Sequence, residues 1–215
     1  SCNTGLGHSA LTANSSGDFN VAIGACALDA NTTADNNTAV GTLSLSANTT
    51  GTENTTVGSS AGSLNTTGCR FTAVGFESGK AHTTGIENSL FGRKSGLALT
   101  TGDNNTFIGS YSGVTQTTAD NNTGVGKSAL SSNTTGYSNT SVGKDAMNGN
   151  TEGHTNAALG AAALEDNTTG DYNTAIGNSA LRCNTTANEN TAVGRNALRL
   201  NTTGGGLTAV GESAL

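Results

Sequence analysis

The chain has 215 residues, of which 31 are glycine, none is proline or tryptophan and 11% are charged, for a formal net charge of −6. An acidic chain (pI ≈ 4.8) with no basic stripe is unsuited to nucleic acid or an anionic membrane surface. No apolar run approaches the roughly 18 residues needed to cross a bilayer, and no signal peptide is visible.

The first element is Asn3-Thr4-Gly5-Leu6-Gly7. It returns as Asn20-Val21-Ala22-Ile23-Gly24, then as Asn37-Thr38-Ala39-Val40-Gly41, and so on to Leu207-Thr208-Ala209-Val210-Gly211, making 13 copies at a constant spacing of 17. A fixed period of this kind marks a quasi-one-dimensional array in which each repeat contacts its neighbours. Residues 1–215 are therefore read as one repeat array. The chain opens and closes in mid-repeat without capping segments, so it is expected to be a slice of a longer fibre protein. Low-charge polar composition often accompanies disorder, but a disordered chain has no reason to hold apolar residues at fixed phase.

With phases counted from the first Asn, the consensus is N-T-A-V-G-x-x-A-L-x-x-N-T-T-G-x-x. Phase 5 is glycine in every copy: Gly7, Gly24, Gly41, Gly58, Gly75, Gly92, Gly109, Gly126, Gly143, Gly160, Gly177, Gly194 and Gly211. Such a position needs φ > 0 or a close backbone approach. Phase 4 is always apolar, phase 8 is Ala or Ser, phase 9 is mostly Leu and phase 15 is Gly or Ala. Thr-Ala-Val reads as a short strand entering a turn, and Asn-Thr-Thr-Gly reads as a second bend. The predicted fold is all-β, a β-solenoid (β-roll or β-helix) of about thirteen 17-residue coils. At about 4.8 Å per coil this makes a rod on the order of 60 Å long.

Alternation along the strand places phases 2 and 4 on one face and phases 3 and 5 on the other. The expected interior is phase 4: Val40, Val57, Val74, Phe91, Ile108, Val125, Val142, Leu159, Ile176 and Val193. Ala at phase 3 and Gly at phase 5 would then form an outer, small apolar face covered by another copy of the rod. Coils 4 to 7 depart from the consensus. Gly62, Gly79, Gly96 and Gly113 replace Leu at phase 9, while Leu90 and Phe107 replace Ala at phase 3, Phe91 enlarges phase 4, and Leu64, Leu97 and Val114 appear at phases 10 and 11. Volume lost at one phase returns at others, so these phases are expected to share one repacked core.

The motif, as in Asn20-Val21-Ala22-Ile23-Gly24 and Asn173-Thr174-Ala175-Ile176-Gly177, resembles the Asn-Ser-Val-Ala-Ile-Gly repeat of YadA-like trimeric autotransporter heads. The longer phrase from Asn122-Thr123-Gly124-Val125-Gly126 to Asn133-Thr134-Thr135-Gly136 resembles repeats of phage and viral tail fibres that end in an endosialidase-type chaperone domain. The resemblance spans the whole chain. It implies a left-handed roll, a homotrimeric rod, and an extracellular place on a cell surface or virion fibre. Self-association and binding to surface glycans or a host receptor follow from it. The period of 17 is longer than that of autotransporter heads, so each coil is larger.

Asn-x-Ser/Thr sequons recur at phase 12, giving Asn14, Asn31, Asn48, Asn65, Asn133, Asn167, Asn184 and Asn201 as glycosylation candidates. The competing reading is a ladder of stacked side-chain amides. Further sequons begin at Asn36, Asn54, Asn104, Asn121 and Asn139. Aspartates recur at phase 16, where Asp18 would stack on Asp35; turn formation explains them better than Ca²⁺ binding. Gly124-Val125-Gly126-Lys127-Ser128 echoes a phosphate-binding loop, but Asn121 stands where that motif needs Gly. His8, His82 and His154 lie at three different phases with no oriented partner, so no catalytic constellation, metal site or cofactor is expected. Cys2, Cys26, Cys69 and Cys183 occupy four different phases, and no disulfide is expected. The expected role is a non-enzymatic fibre segment, an adhesin head or stalk or a tail-fibre shaft. The alternatives are a self-assembling, glycan-coated filament stacked end to end, and an ice-binding solenoid, the latter disfavoured because the threonines of phases 13 and 14 are adjacent and point opposite ways.

Overall fold

Each 17-residue coil contributes one three-residue strand. The computed structural model describes residues 2–215. Its contacts divide it into two units, up to Asn105 and from Thr106 onward. The first holds β1 (Thr4–Leu6), β2 (Val21–Ile23), β3 (Thr38–Val40), β4 (Thr55–Val57), β5 (Thr72–Val74) and β6 (Ser89–Phe91). The second holds β7 (Thr106–Ile108), β8 (Thr123–Val125), β9 (Thr140–Val142), β10 (Ala157–Leu159), β11 (Thr174–Ile176), β12 (Thr191–Val193) and β13 (Thr208–Val210). Within each unit consecutive strands pair in parallel with a register of one repeat, so Thr38 lies on Thr55 and Ala39 on Thr56, and Thr174 lies on Thr191 and Ala175 on Ala192. This is a parallel β-solenoid with 17-residue coils.

Backbone groups pair from coil to coil. The Thr38 N–H donates to the Asn54 carbonyl at 2.8 Å, and the Gly58 N–H donates to the Val40 carbonyl at 2.8 Å. The corners between strands use left-handed backbone at three phases besides the glycine of phase 5. In coil 3 these are Leu43 (φ 57°), Leu45 (φ 53°) and Glu53 (φ 61°). Non-glycine residues in this region carry strain of order 1 kcal/mol or more, which the coil-to-coil bonds must offset. Phase 5 is more demanding. Gly41 has φ 133°, and a Cβ there would sit 2.6 Å from the carbonyl carbon of Gly58 in the next coil. Glycine is required twice over, by dihedral and by stacking distance.

The interior differs from the sequence expectation at the strand. Val40, Val57, Val74, Phe91, Ile108, Val125, Val142, Leu159, Ile176 and Val193 all face outward, half-buried or exposed. The interior position is phase 3: Ala22, Ala39, Thr56, Ala73, Leu90 and Phe107 are fully buried. The reason is the width of the coil. Leu at phase 9, such as Leu28 and Leu45, reaches across the interior and leaves room for only a methyl at phase 3. Where phase 9 is glycine, the space is refilled from phases 1 and 3. A Cβ on Gly62 would meet Phe71 at 2.8 Å, one on Gly96 would meet Leu90 at 2.8 Å, and one on Gly113 would meet Phe107 at 2.5 Å. The expected exchange of volume in coils 4 to 7 is thus present between phases 9, 3 and 1. Phe91 and Leu64 take no part in it and are exposed.

Candidate functional site

The outer face of the strands is the first candidate surface. Phases 2 and 4 point outward in every coil, and neither ever carries a charge. Phase 2 is Thr or Ser except at Val21 and Ala157. In the first unit the aliphatic rank includes Ile23, 37% exposed, and Val57, 38% exposed; in the second it includes Ile108, 43%, and Ile176, 40%. Apolar residues stacked one per coil, β-branched except at Leu6, Phe91 and Leu159, form an apolar stripe within each unit, flanked by a rank of hydroxyls broken at Val21 and Ala157.

The inner polar face is a pair of amide ladders. At phase 12, Asn31 Nδ2 donates to Asn14 Oδ1 at 2.8 Å, Asn48 to Asn31 at 3.2 Å, and Asn65 to Asn48 at 2.9 Å. In the second unit Asn133 donates to Gln116 Oε1, Asn150 to Asn133 and Asn167 to Asn150, each at 2.8 Å. The second Nδ2 proton donates to the phase-15 carbonyl of the same coil, as Asn150 does to Gly153 at 2.9 Å. The phase-1 asparagines form the other ladder. Asn37 Nδ2 donates to the Gly51 carbonyl at 2.9 Å, and its Oδ1 accepts the Asn54 N–H at 3.1 Å. Buried amides fully paired in this way stabilise the coil and fix its register, because each unmade bond would leave a buried polar group unsatisfied.

This corrects the glycosylation candidates. Asn31, Asn48, Asn65, Asn133, Asn167 and Asn184 are completely buried. Asn14 and Asn201 are part-buried, with Nδ2 donating to Gly17 and Gly204 at 3.0 and 2.8 Å. In the folded chain a side chain needed as an internal donor is unavailable as a glycan anchor. An asparagine that anchors a glycan and one that serves a ladder look alike in sequence, and burial separates them.

His82 substitutes for Asn in the phase-12 ladder. It is fully buried and stacks on Phe71, with ring centroids 4.0 Å apart and planes 4° from parallel. Its Nδ1 lies 2.8 Å from Asn65 Oδ1, and Nε2 lies 3.2 Å from Asn88 Nδ2. The tautomer that satisfies both is Nδ1–H, donating to Asn65 and accepting from Asn88. Burial pushes its pKa down to about 4.

The variable turn side chains carry the remaining surface chemistry. At phase 13 the Thr hydroxyls donate to the carbonyl one coil on, as Thr66 Oγ1 does to Thr83 at 3.1 Å, so they are spent on stacking. Phase-14 threonines such as Thr33 and Thr67 are exposed. At phase 16 a carboxylate accepts the N–H of the preceding coil: Asp35 Oδ1 from Asp18 at 2.6 Å, and Asp103 Oδ1 from Ile86 at 2.7 Å. This bond gives aspartate a structural role at phase 16. In the second unit Tyr137 stacks on His154 at 4.7 Å, His154 meets Tyr172 edge-on at 5.4 Å, and His154 Nε2 lies 3.3 Å from Asp171 Oδ2. Tyr137 and Tyr172 are exposed, and Tyr172 holds φ 56°, a strained conformation for an aromatic residue. Sequence reasoning missed this cluster, although coils of period 17 put Tyr137, His154 and Asp171 at one phase.

Among the described residues no group of three or more His, Cys, Asp or Glu is placed to hold a metal ion. Cys2, Cys26, Cys69 and Cys183 are free thiols. No helix among the described residues is long and apolar enough to cross a membrane. No family model, curated protein or solved structure matches the chain.

Proposed function

We propose that the chain is a non-enzymatic segment of an extracellular fibre, built by three copies packing through the outward aliphatic stripe of phases 2 and 4. The observation that carries this reading is the stripe itself: an uncharged face, apolar at phase 4 in all 13 coils. A second copy of the chain is the occupant that fits best, because within each unit it has the same coil spacing and so meshes coil by coil. Each coil offers a footprint of about 10 by 4.8 Å, so the first unit offers about 290 Å² and the second about 340 Å². A standard interface uses about 800 Å² per partner, so repetition supplies an area of the right order. The stripe replaces the face of phases 3 and 5 as the self-association surface, since phase 3 is inside. Recognition of surface glycans or a host receptor is assigned to the variable turns, where Tyr137, His154 and Tyr172 form an aromatic cluster.

Light scattering after size exclusion tests the assembly. The expected mass is three times 21.1 kDa. The pair Val57→Asp and Ile176→Asp, one in each unit, should reduce it to a single chain with the β-sheet circular dichroism unchanged. A monomeric parent protein refutes the trimer.

The same face supports a second reading. Thr at phase 2 and Val or Ile at phase 4, each in 10 of the 13 copies, make two ranks about 4.8 Å apart from coil to coil and about 6.6 Å across the strand. Regular hydroxyls and methyls on a rigid sheet can order water, and a monomer that retards ice growth at micromolar concentration would establish an ice-binding solenoid instead. Phases 13 and 14 do not supply this face.

A further inference from the structure

Sequons and ladder positions coincide in this fold, and the coincidence constrains where the protein can be made. Asn31, Asn48, Asn65, Asn133, Asn167 and Asn184 at phase 12, and Asn54 and Asn139 at phase 1, each begin an Asn-x-Ser/Thr sequon. All eight side chains are completely buried. Their Nδ2 protons are already placed: Asn167 donates to Asn150 Oδ1 at 2.8 Å and to the Gly170 carbonyl at 2.9 Å. At phase 1, Asn54 donates to the Gly68 carbonyl at 2.9 Å and Asn139 to the Gly153 carbonyl at 2.8 Å.

Asparagine-linked glycosylation acts on the extended chain before it folds. The amide nitrogen attacks the anomeric carbon of a lipid-pyrophosphate-linked oligosaccharide. The N–C1 bond forms, the C1–O bond breaks, the nitrogen loses one proton, and the lipid pyrophosphate leaves with the bonding electrons. On a ladder asparagine the product has lost one of its two donor protons and carries a bulky hydrophilic chain. The position it must enter has no solvent access and lies one coil spacing from the next amide. Neither ladder nor interior can close around it.

We infer that this chain matures on a route without asparagine-glycosylating machinery, because glycosylation of its ladder sequons would prevent the solenoid from closing. The inference rests on the amide ladders and is independent of the trimer. It also sorts the sequons by tolerance. Asn36, Asn104 and Asn121 sit at phase 17, on exposed left-handed turns with φ 59°, 57° and 60°, where a glycan projects into solvent.

The test uses a variant that removes the eight sequons whose asparagines are completely buried and keeps every ladder asparagine. The third sequon residue at phase 12 is an exposed threonine: Thr33, Thr50, Thr67, Thr135, Thr169 and Thr186. At phase 1 it is Thr56 or Ser141, at the interior phase that is Ala in most coils. Changing all eight to Ala leaves the amides in place. Both proteins are first made in a bacterial cytosol to establish that each gives the protease-resistant β fold there. Both are then routed through a eukaryotic secretory pathway. The parent is expected to acquire endoglycosidase-sensitive mass on ladder peptides and to yield no protease-resistant product, with folding restored when glycosylation is blocked by tunicamycin. The eightfold variant is expected to fold in that pathway without the drug. A parent secreted in folded form, with its ladder sequons occupied or skipped, overturns the inference, as does an eightfold variant that folds in the cytosol and fails in the secretory pathway like the parent.

Discussion

The exchange of volume between phases 3 and 9 makes a quantitative prediction. Leu90 is fully buried at phase 3, and Gly96 stands at phase 9 of the same coil. A Cβ on Gly96 would come within 2.8 and 2.9 Å of the two Leu90 δ-carbons, so a leucine there cannot coexist with Leu90. Gly96→Leu alone is expected to cost about 3 kcal/mol, from overpacking and from placing a side chain at φ 56°. Leu90→Ala alone leaves a cavity and costs about 3 kcal/mol. Together they restore the Ala/Leu pair of the consensus coils, where Leu45 already holds φ 53°. The double variant should then lie within about 2 kcal/mol of the parent, a coupling of about −4 kcal/mol. Urea unfolding of the parent, both single variants and the double variant measures it through the transition midpoints. Additive single costs, with a coupling below about 0.5 kcal/mol, would show that the two phases do not share an interior and would refute the packing argument.

Removing one rung of the ladder tests the amide bonds. Asn150→Ala deletes its bonds to Asn133 and Gly153 and the one it accepts from Asn167, and should cost about 2–4 kcal/mol in unfolding free energy. Gly41→Ala should cost about 3 kcal/mol or more, by dihedral strain and by collision with the Gly58 carbonyl, so little folded product is expected on a protease-resistance assay. His82 makes stability pH-dependent. Its folded pKa of about 4 lies below the ordinary 6.5, so the unfolded state binds the proton first. The stability due to the neutral ring is therefore fully present above pH 6.5 and is lost as pH falls toward 4, by about 3 kcal/mol across that window. His82→Asn, which restores the consensus residue, should remove this part of the pH dependence; equal slopes for parent and variant between pH 7 and pH 4.5 would contradict the buried neutral imidazole.

Much of the architecture is legible in the residues. The period of 17 and the unbroken glycine at phase 5 specify a stack of identical coils, because only stacking turns one demanding dihedral into a demand repeated along the whole chain. The short β-prone triplet specifies where the strand lies. The correct inner face was also written there. Leu90 and Phe107 enlarge phase 3 in coils where phase 9 is glycine, which places both phases inside. Strand alternation alone defines two faces without saying which is inner, and the valines of phase 4 look more like a core than the alanines of phase 3.

What the sequence by itself determined, then, is the coil, its length, its turns and the absence of charge from both strand faces. Only the tertiary structure decided which face closes on itself. Coil width is a property of the closed loop: Leu at phase 9 spans the interior, Ala at phase 3 fits the remainder, and the branched residues of phase 4 are left outside. It likewise decided that the phase-12 amides are internal bonds rather than glycan anchors. An Asn-Thr-Thr triplet has the same local chemistry in either setting, and the difference is made by the neighbouring coils, 17 residues away on each side, which supply the donors and acceptors that bury it.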